Sequence, residues 1–196
     1  MLHRFAVLVV VGVALALGLP AAAKSLTGML LVANPDMSDP NFARSVVLVI
    51  EHNDAGAFGV IVNRSVRSEP LSRVLGLFGL GESAVERPVT LYRGGPVQPD
   101  RALVLHSSDF RGPETKVVSE HFAVTSPDIV LKAMAADGGP RDAIVALGYS
   151  GWAPGQLEDE LARDAWIVVP ADRDLVFHQD EAGKWRRAFD RRDVDL

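Results

Sequence analysis

The chain has 196 residues, of which 48% are hydrophobic and 23% charged, proportions that suit one globular domain with its own core. Its formal net charge is −5, whereas a domain that binds duplex nucleic acid usually carries a basic face, so nucleic acid is not expected as a partner. The absence of cysteine excludes thiol catalysis, thiolate metal sites and disulfides.

The amino terminus has the pattern of an export signal. A short basic start precedes 15 apolar residues, and Ala21 and Ala23 then supply the small residues that a signal peptidase reads. We predict a signal peptide over 1–23, cleavage before Lys24 and a single domain over 24–196, which makes the protein periplasmic or secreted. A spanning helix needs about 20 apolar residues, so the membrane is a partner only through this segment if it stays uncleaved.

The first half of the predicted domain consists mainly of strands. Strands are predicted over 27–33, 45–52, 59–63, 89–95 and 102–107. The second and third of these are separated by turn residues and are expected to form a hairpin. Between the third and fourth, residues 69–78 place apolar side chains at helical spacing, with Pro70 in the first turn, which predicts an amphipathic helix.

The second half alternates strands with short helices. Ser126 is expected to cap a helix that Gly138 ends, and a final helix over 184–190 is expected to bury its apolar residues. The other predicted elements are strands over 116–125, 143–151 and 165–170, a helix over 156–164 and a short element over 174–178. Strands that both pair locally and alternate with helices predict an α+β domain with a mixed sheet.

The stretch GYSGWAPGQLEDE poses the question of a serine nucleophile. A nucleophile elbow reads G-x-S-x-G, and its second glycine lets the helix pack behind the serine. Here Trp152 occupies that glycine position, and the only histidine after Ser150 is His178. We therefore interpret the segment as a turn that shapes the domain, and we predict no catalytic residue.

Metal and phosphate motifs are missing from the sequence. The histidines stand singly, without the spacings that bring two imidazoles to one ion, and Asp36 and Asp39 are interpreted as turn-capping residues. Gly94 and Gly95 could direct main-chain N–H groups at an anion with the assistance of Arg93, but a tight turn is the favoured interpretation. No metal and no cofactor are expected.

The carboxyl-terminal segment contains five basic residues, among them Lys184, that five acidic residues offset. Such a balance is typical of a solvated helix face and does not indicate a nucleic-acid patch.

Several segments together resemble a known family. LTGMLLVANPDMSDPNFARSVVLVIEHNDAGAFGVIVN resembles the opening signature of the YqgE/AlgH family, and YRGGPVQPDRALVLHS and LGYSGWAPGQLEDELARDAWIVVP resemble its later ones. The resemblance covers residues 26–190 and implies a branched β-sheet, partly closed into a small barrel, with short helices around it. It implies no catalytic residue set. Some members are named transcriptional regulators, and members usually lack an export signal.

These observations lead us to expect a non-catalytic regulatory domain, or one that binds a small molecule or a protein partner, acting in the periplasm. The alternatives are a transcriptional regulator, as some family members are named, with the cytoplasmic location usual for the family, and a hydrolase that uses His52 or His106 as a base. The candidate ligand-binding residues are Asn34, His52, Asn63, Gly94, Gly95, His106, Tyr149, Trp152 and Gln156.

Overall fold

The computed structural model describes residues 25–178 and 180–192, so the predicted signal segment 1–23 lies outside the described residues. The strands in this part of the chain are β1 (Met29–Ala33), β2 (Val46–Asn53), β3 (Gly56–Ile61), β4 (Ser65–Pro70), β5 (Pro88–Arg93), β6 (Val97–Ser107), β7 (Lys116–Val117), β8 (Phe122–Thr125), β9 (Ala143–Trp152) and β10 (Trp166–Pro170). The helices are α1 (Leu71–Leu77), α2 (Pro127–Ala135), α3 (Gln156–Ala162), α4 (Arg173–Phe177) and α5 (Glu181–Phe189).

The strands form one branched sheet in the order β10-β1-β2-β3-β9-β6-β8-β7. The branch is at β9, because Val145 to Leu147 pair in parallel with β5 while the same strand pairs antiparallel with β6 and β3. Strand β4 pairs with β5, and these two strands leave the main path as a ribbon. The sheet curls into a half-barrel with short helices around it, which confirms the predicted α+β fold with a branched, partly closed sheet.

Most predicted strands are present, and the predicted β2–β3 hairpin is confirmed. The segment 116–125, predicted as one strand, is instead two, because the main-chain N–H groups of Val118 and Ser119 both donate to the oxygen of Phe122 in a tight turn. Strand β4 was not predicted. Its sequence SVRSEP is polar and largely exposed, so it carries no hydrophobic period to indicate a strand.

In the described part of the chain, the core has three parts that pack against different regions of the curled sheet. One lies between the sheet and the α4–α5 pair, a second lies beneath α1 and α2, and a third lies between β1–β3 and α3. Because β5 alternates, Val89 and Leu91 face the second part while Tyr92 faces the first. The ribbon is therefore held on one face by helices α1 and α2, and its other face is turned toward α4 and α5.

The amino-terminal ends of α2 and α5 differ from the predictions. Ser126 occupies the position before α2, but its hydroxyl donates to Asp128 at 2.7 Å and accepts no main-chain bond. The last helix begins at Glu181, three residues earlier than predicted, because Asp180 caps it by accepting from Gly183 N at 3.0 Å.

Among the described residues, no helix combines the length and the apolar character needed to cross a membrane.

Of the apolar residues that the last helix was expected to bury, Ala188 is completely buried and the two aromatic residues are only partly so. Trp185 and Phe189 are half-buried and stack on each other at 5.2 Å, whereas Lys184 is 0% exposed. The prediction that Lys184 belongs to a solvated face was wrong, because its long side chain passes under the helix into the core.

Candidate functional site

A cavity of about 470 Å³ lies where the β3–β4 turn, the end of β5 and the start of α5 meet. Its lining residues are Asn63, Arg64, Ser65, Val66, Arg93, Glu181 and Ala182. A second cavity of about 230 Å³ continues along β4 and shares Ser65, Val66 and Glu181 with the first.

A third cavity of about 320 Å³ shares Thr90 and Tyr92 with the second and extends to Arg87, Arg141 and Phe177. The three cavities together form a depression between the β4–β5 ribbon and the α4–α5 pair. We call it the ribbon cleft and define it by the lining residues of these three cavities. The inner end contains Arg93 and the outer end contains Arg87.

The ribbon cleft is basic in an acidic protein. The charged side chains that line it in the described part of the chain are five arginines and two carboxylates, namely Arg64, Arg67, Arg87, Arg93, Arg141, Asp142 and Glu181. The whole chain has 20 lysines and arginines against 25 aspartates and glutamates. Positive charge is therefore concentrated at this cleft, which favours anionic ligands.

Two arginines define the inner end of the cleft. The guanidinium of Arg64 donates to the main-chain oxygens of Asn41 at 2.7 Å and Ala43 at 2.9 Å, which fixes its position. Burial and the neighbouring Arg93 lower the pKa of Arg64. Arg93 is exposed, and none of the carboxylates in the described ranges forms an ion pair with it. An anion bound here would supply the missing counter-charge.

A buried polar network lies behind the inner end. Tyr92 Oη donates to Glu181 Oε1 at 2.6 Å, and Lys184 Nζ lies 3.6 Å from the same oxygen. Lys184 Nζ also donates to the main-chain oxygens of Val62 at 2.7 Å and Val176 at 2.8 Å. Burial lowers the pKa of Lys184 to about 8, and burial together with the bond to Glu181 raises the pKa of Tyr92. The network holds Glu181 at the cleft wall.

The second carboxylate oxygen of Glu181 is unpaired. Oε2 is buried and accepts no hydrogen bond from any described residue, although Glu181 lines both inner cavities. A buried acceptor without a donor is costly, so this oxygen is an unsatisfied polar group in the cleft wall.

Of the nine residues predicted from the sequence, Asn63 lies in the ribbon cleft. Its amide accepts from Val46 N at 2.8 Å and donates to the oxygen of Arg44 at 2.9 Å, so it also closes the loop before β2. Asn34 lines a separate cavity of about 300 Å³ beside Met37.

The pair Gly94 and Gly95 joins strands. Gly94 N donates to Leu147 O at 2.8 Å, and Gly94 O accepts from Ile61 N at 2.8 Å. A Cβ on Gly95 would collide with the main chain of Tyr149. The close approach of two backbones, and not the tight turn that the sequence led us to expect, explains both glycines.

His52 forms hydrogen bonds to the first described residues of the chain. Its Nδ1 accepts from Leu26 N at 3.1 Å, so Nε2 carries the proton and donates to Glu158 Oε1 at 2.7 Å. Ser25 Oγ donates to the oxygen of His52 at 2.8 Å and Thr27 Oγ1 accepts from its N–H at 3.0 Å. These bonds tie the segment before β1 to β2.

His106 is 0% exposed, and both of its ring nitrogens are engaged. Nδ1 donates to the oxygen of Ser107 at 2.9 Å, and Nε2 accepts from Thr125 Oγ1 at 2.8 Å. Burial lowers the pKa of His106, which favours the neutral ring. The hydroxyl of Ser107 donates to Asp109 at 2.5 Å and not to the imidazole, so these neighbours do not form a triad.

Trp152 belongs to a buried aromatic cluster with Phe42 and Trp166. Trp152 Nε1 donates to Glu160 Oε2 at 2.9 Å, and Trp166 Nε1 donates to the same oxygen at 2.7 Å. Gln156 donates to Glu160 Oε1 at 2.9 Å. The indole that occupies the elbow position therefore anchors α3 against the sheet.

Tyr149 and Ser150 lie within β9. Tyr149 packs its ring edge-on against Phe58 at 5.0 Å. Ser150 is 0% exposed, pairs with Gly59 across the sheet and donates to Gly94 O at 3.3 Å. The predicted site residues thus lie in several places and do not share one cavity. In the ranges that the structure describes, no group of three or more histidines and carboxylates is arranged to hold a metal ion.

Comparison with known proteins identifies the family. The AlgH-like family model matches residues 30–196. A UPF0301 protein of Thioalkalivibrio sulfidiphilus is 41% identical over 175 residues, which cover 89% of this chain and 94% of that protein. The chain belongs to the AlgH-like family.

Solved structures agree with this assignment. The solution structure of the AlgH protein from Pseudomonas aeruginosa is similar to this AlgH-like chain with a TM-score of 0.71 and 35% identity, covering 90% of this chain and 93% of that one. The crystal structure of a protein from Corynebacterium diphtheriae has a TM-score of 0.67 at 24% identity, covers 84% of this chain and 86% of that one, and supports the shared fold.

The signal that could have revealed the ribbon cleft was weak. Arg64 and Arg93 each stand at the end of a predicted strand, but only the pairing of β5 with the unpredicted strand β4, beside which Arg93 N donates to Arg64 O at 2.9 Å, places them together. Glu181 lies outside the predicted final helix, and Arg87 lies in a predicted loop. Sequence reasoning therefore identified Asn63 and considered Arg93 only as an aid to an anion at Gly94 and Gly95, and it missed Arg64, Arg87 and Glu181.

Proposed function

We propose that this AlgH-like chain is a non-catalytic regulatory or partner-binding domain that binds an anionic ligand in the ribbon cleft. The observation that carries the proposal is the excess of arginine over carboxylate in that cleft, in a chain whose net charge is −5. A cleft of one charge sign with low-dielectric walls raises the local concentration of ligands of the opposite sign.

The inner end supports a ligand with two kinds of group. Arg64 is positioned by its bonds to main-chain oxygens and Arg93 has no carboxylate partner among the described residues, so a carboxylate or phosphate fits between them. Glu181 forms the opposite wall, and the exposed part of its carboxylate side chain suits a hydroxyl or amine on the same ligand. We therefore propose an anion that also carries a hydrogen-bond donor.

The geometry of the histidines and of Ser150 favours binding over catalysis. Both ring nitrogens of His52 and of His106 are used in structural bonds, and a base must have a free nitrogen within reach of its proton donor. Ser150 is buried inside a strand. A fluorophosphonate probe is expected to leave Ser150 unlabelled, and a covalent adduct at that residue would support a hydrolase instead.

The export of the protein is a separate part of the proposal. It is supported by the apolar run and the small residues before Lys24. Cell fractionation followed by amino-terminal sequencing of the soluble protein is expected to give periplasmic material that begins near Lys24. Cytoplasmic protein with Met1 retained would reject export and favour the regulator alternative, which a salt-titrated duplex-binding assay would then test.

The ligand site is tested by titrating the ¹⁵N-labelled protein with O-phosphoserine and with N-acetylglutamate. We expect amide shifts at residues 63–66, 93 and 181–182, and about tenfold weaker binding in Arg93→Gln, because a charge-assisted bond contributes about 1.5–3 kcal/mol. The matched control is Arg186→Gln, since that side chain is 73% exposed on α5 and lies outside the cleft. Scattered shifts, or equal affinity in Arg93→Gln, would reject the site.

A further inference from the structure

We infer that the occupant of the ribbon cleft is an extended acidic peptide that lies along β5 from Arg93 to Arg87. The inference rests on the proposed anionic ligand and names its class. It depends on three observations, which are the length of the cleft, the charge at its two ends and the chemistry of its floor.

The length of the cleft exceeds the reach of a small metabolite. Arg93 is the last residue of β5 and Arg87 directly precedes its first, so the two lie six residues apart along an extended strand. At about 3.3 Å per residue, their Cα atoms are about 20 Å apart. An extended peptide of about seven residues spans this distance, because its rise per residue is the same.

The outer end of the cleft is a second place for a negative charge. Arg87 Nη2 donates to the main-chain oxygen of Arg141 at 3.2 Å, and no carboxylate of the described chain pairs with Arg87. The carboxylate of Asp142 is already bound to Arg173. The side chain of Arg141 lies 3.8 Å from Asp109, a long contact between partly exposed groups. The outer end therefore keeps positive charge for a ligand.

The middle of the cleft is lined by hydroxyl groups together with one arginine and one carboxylate, Arg67 and Glu181, whose charges offset each other. Ser65, Ser68 and Thr90 supply hydroxyl groups along the middle of the cleft, and hydroxyls can both donate to and accept from peptide amides. The aromatic side chains that line the described cleft are Tyr92, which is 4% exposed, and Phe177, which is half-buried. Nucleobases would find no exposed ring to stack on, so a peptide is favoured over a single-stranded nucleic acid.

The peptide is expected to lie in the cleft and not to extend the sheet. Strand β4 is an edge strand, but its pairing is interrupted by a bulge between Ser65 and Arg67. Arg67 and Glu69 also place charges on this strand. Bulges and charges on an edge oppose the addition of another strand. Recognition therefore depends on side chains of the cleft, above all Arg87 and Arg93.

The experiment is selection of a random peptide library displayed on phage against the purified protein. We expect the selected peptides to carry two acidic residues about five or six positions apart, with small polar residues between them. Arg93→Gln is expected to abolish the preference at one acidic position and Arg87→Gln the preference at the other. The control Arg186→Gln is expected to keep both preferences.

Fluorescence anisotropy of a selected peptide gives the affinities. Each of Arg87→Gln and Arg93→Gln is expected to weaken its binding about tenfold. The inference is overturned if selection yields no peptide, apolar peptides or a single acidic position, or if an octamer of deoxythymidine binds more tightly than the peptide. If O-phosphoserine still binds in an Arg93-dependent manner, the anion site stands without the peptide; if it does not bind either, both proposals fail.

Discussion

Lys184 Nζ donates a 2.7 Å hydrogen bond to the main-chain oxygen of Val62, which joins the last helix to the end of β3 across 122 residues of sequence. The ammonium group is completely buried and reaches this oxygen from below the cleft wall. The contact places Glu181 beside Asn63, so the inner end of the ribbon cleft exists only when the last helix is docked.

The burial of Lys184 predicts a rise of stability with pH. Its pKa of about 8 in the folded protein lies below the ordinary value of 10.5, so between these values the unfolded chain binds more protons and the free energy of unfolding increases with pH. The raised pKa of Tyr92 makes the free energy of unfolding fall with pH above about pH 10. The increase due to Lys184 is therefore expected between about pH 8 and pH 10. We expect the free energy of unfolding to increase by about 2 kcal/mol across this pH range.

Urea denaturation at several pH values between 7.5 and 10 measures this gain. Lys184→Met is expected to flatten the dependence whatever its effect on absolute stability, and Lys132→Met, which changes an exposed lysine on α2, is expected to keep it. An unchanged slope in Lys184→Met would show that another group titrates.

Glu160 is expected to be the main anchor of α3. Replacing it with alanine leaves the indole N–H groups of Trp152 and Trp166 without their acceptor, and each unpaired buried donor costs about 1–3 kcal/mol. We expect Glu160→Ala to lower the free energy of unfolding by about 2–4 kcal/mol, measured by tryptophan fluorescence in urea. Asp159→Ala, an exposed neighbour on the same helix, is the control, and equal losses in the two variants would contradict the assignment.

The tautomer of His52 follows from its partners. Because Nδ1 accepts from Leu26 N, we expect the Nε2–H form in long-range ¹H–¹⁵N spectra near pH 7.5. His52→Ala is expected to speed hydrogen exchange at the amide of Leu26, whereas His121→Ala, which alters a half-exposed histidine, is expected to leave it unchanged. An Nδ1–H tautomer would contradict the hydrogen bond from Leu26 N to His52 Nδ1.

Substitution of Gly95 and of Gly76 by alanine is expected to change the stability of the fold in opposite directions. Gly95→Ala introduces a Cβ into the main chain of Tyr149 and is expected to destabilise the fold by more than about 2 kcal/mol. Gly76 lies inside α1, and no atom lies within 4 Å of the place that an added methyl group would take, so Gly76→Ala is expected to stabilise by about 0.5–1 kcal/mol. Thermal unfolding of both variants compares them, and a stable Gly95→Ala would disprove the close approach.

Local patterns predicted most of the secondary structure. The β-branched run of β2, the turn before β3 and the apolar spacing of α1 are properties of neighbouring residues, and each of these elements is present with bounds shifted by a few residues. Strand β4 escaped prediction because an exposed edge strand has no apolar face to produce a period. The bond of Trp152 to Glu160, which fixes α3 to the sheet, could not be read from spacing.

The amino-acid sequence alone determined the class of fold, the family signatures and the overall negative charge, because these depend on composition and on residues close together in the chain. The tertiary structure decided where the positive charge collects and which lysine is buried. Arg64, Arg87, Arg93 and Glu181 come to one cleft only through the pairing of β4 with β5 and the docking of α5. Electrostatic fields and desolvation depend on distances in space, and a polar residue does not reveal those distances through its sequence neighbours.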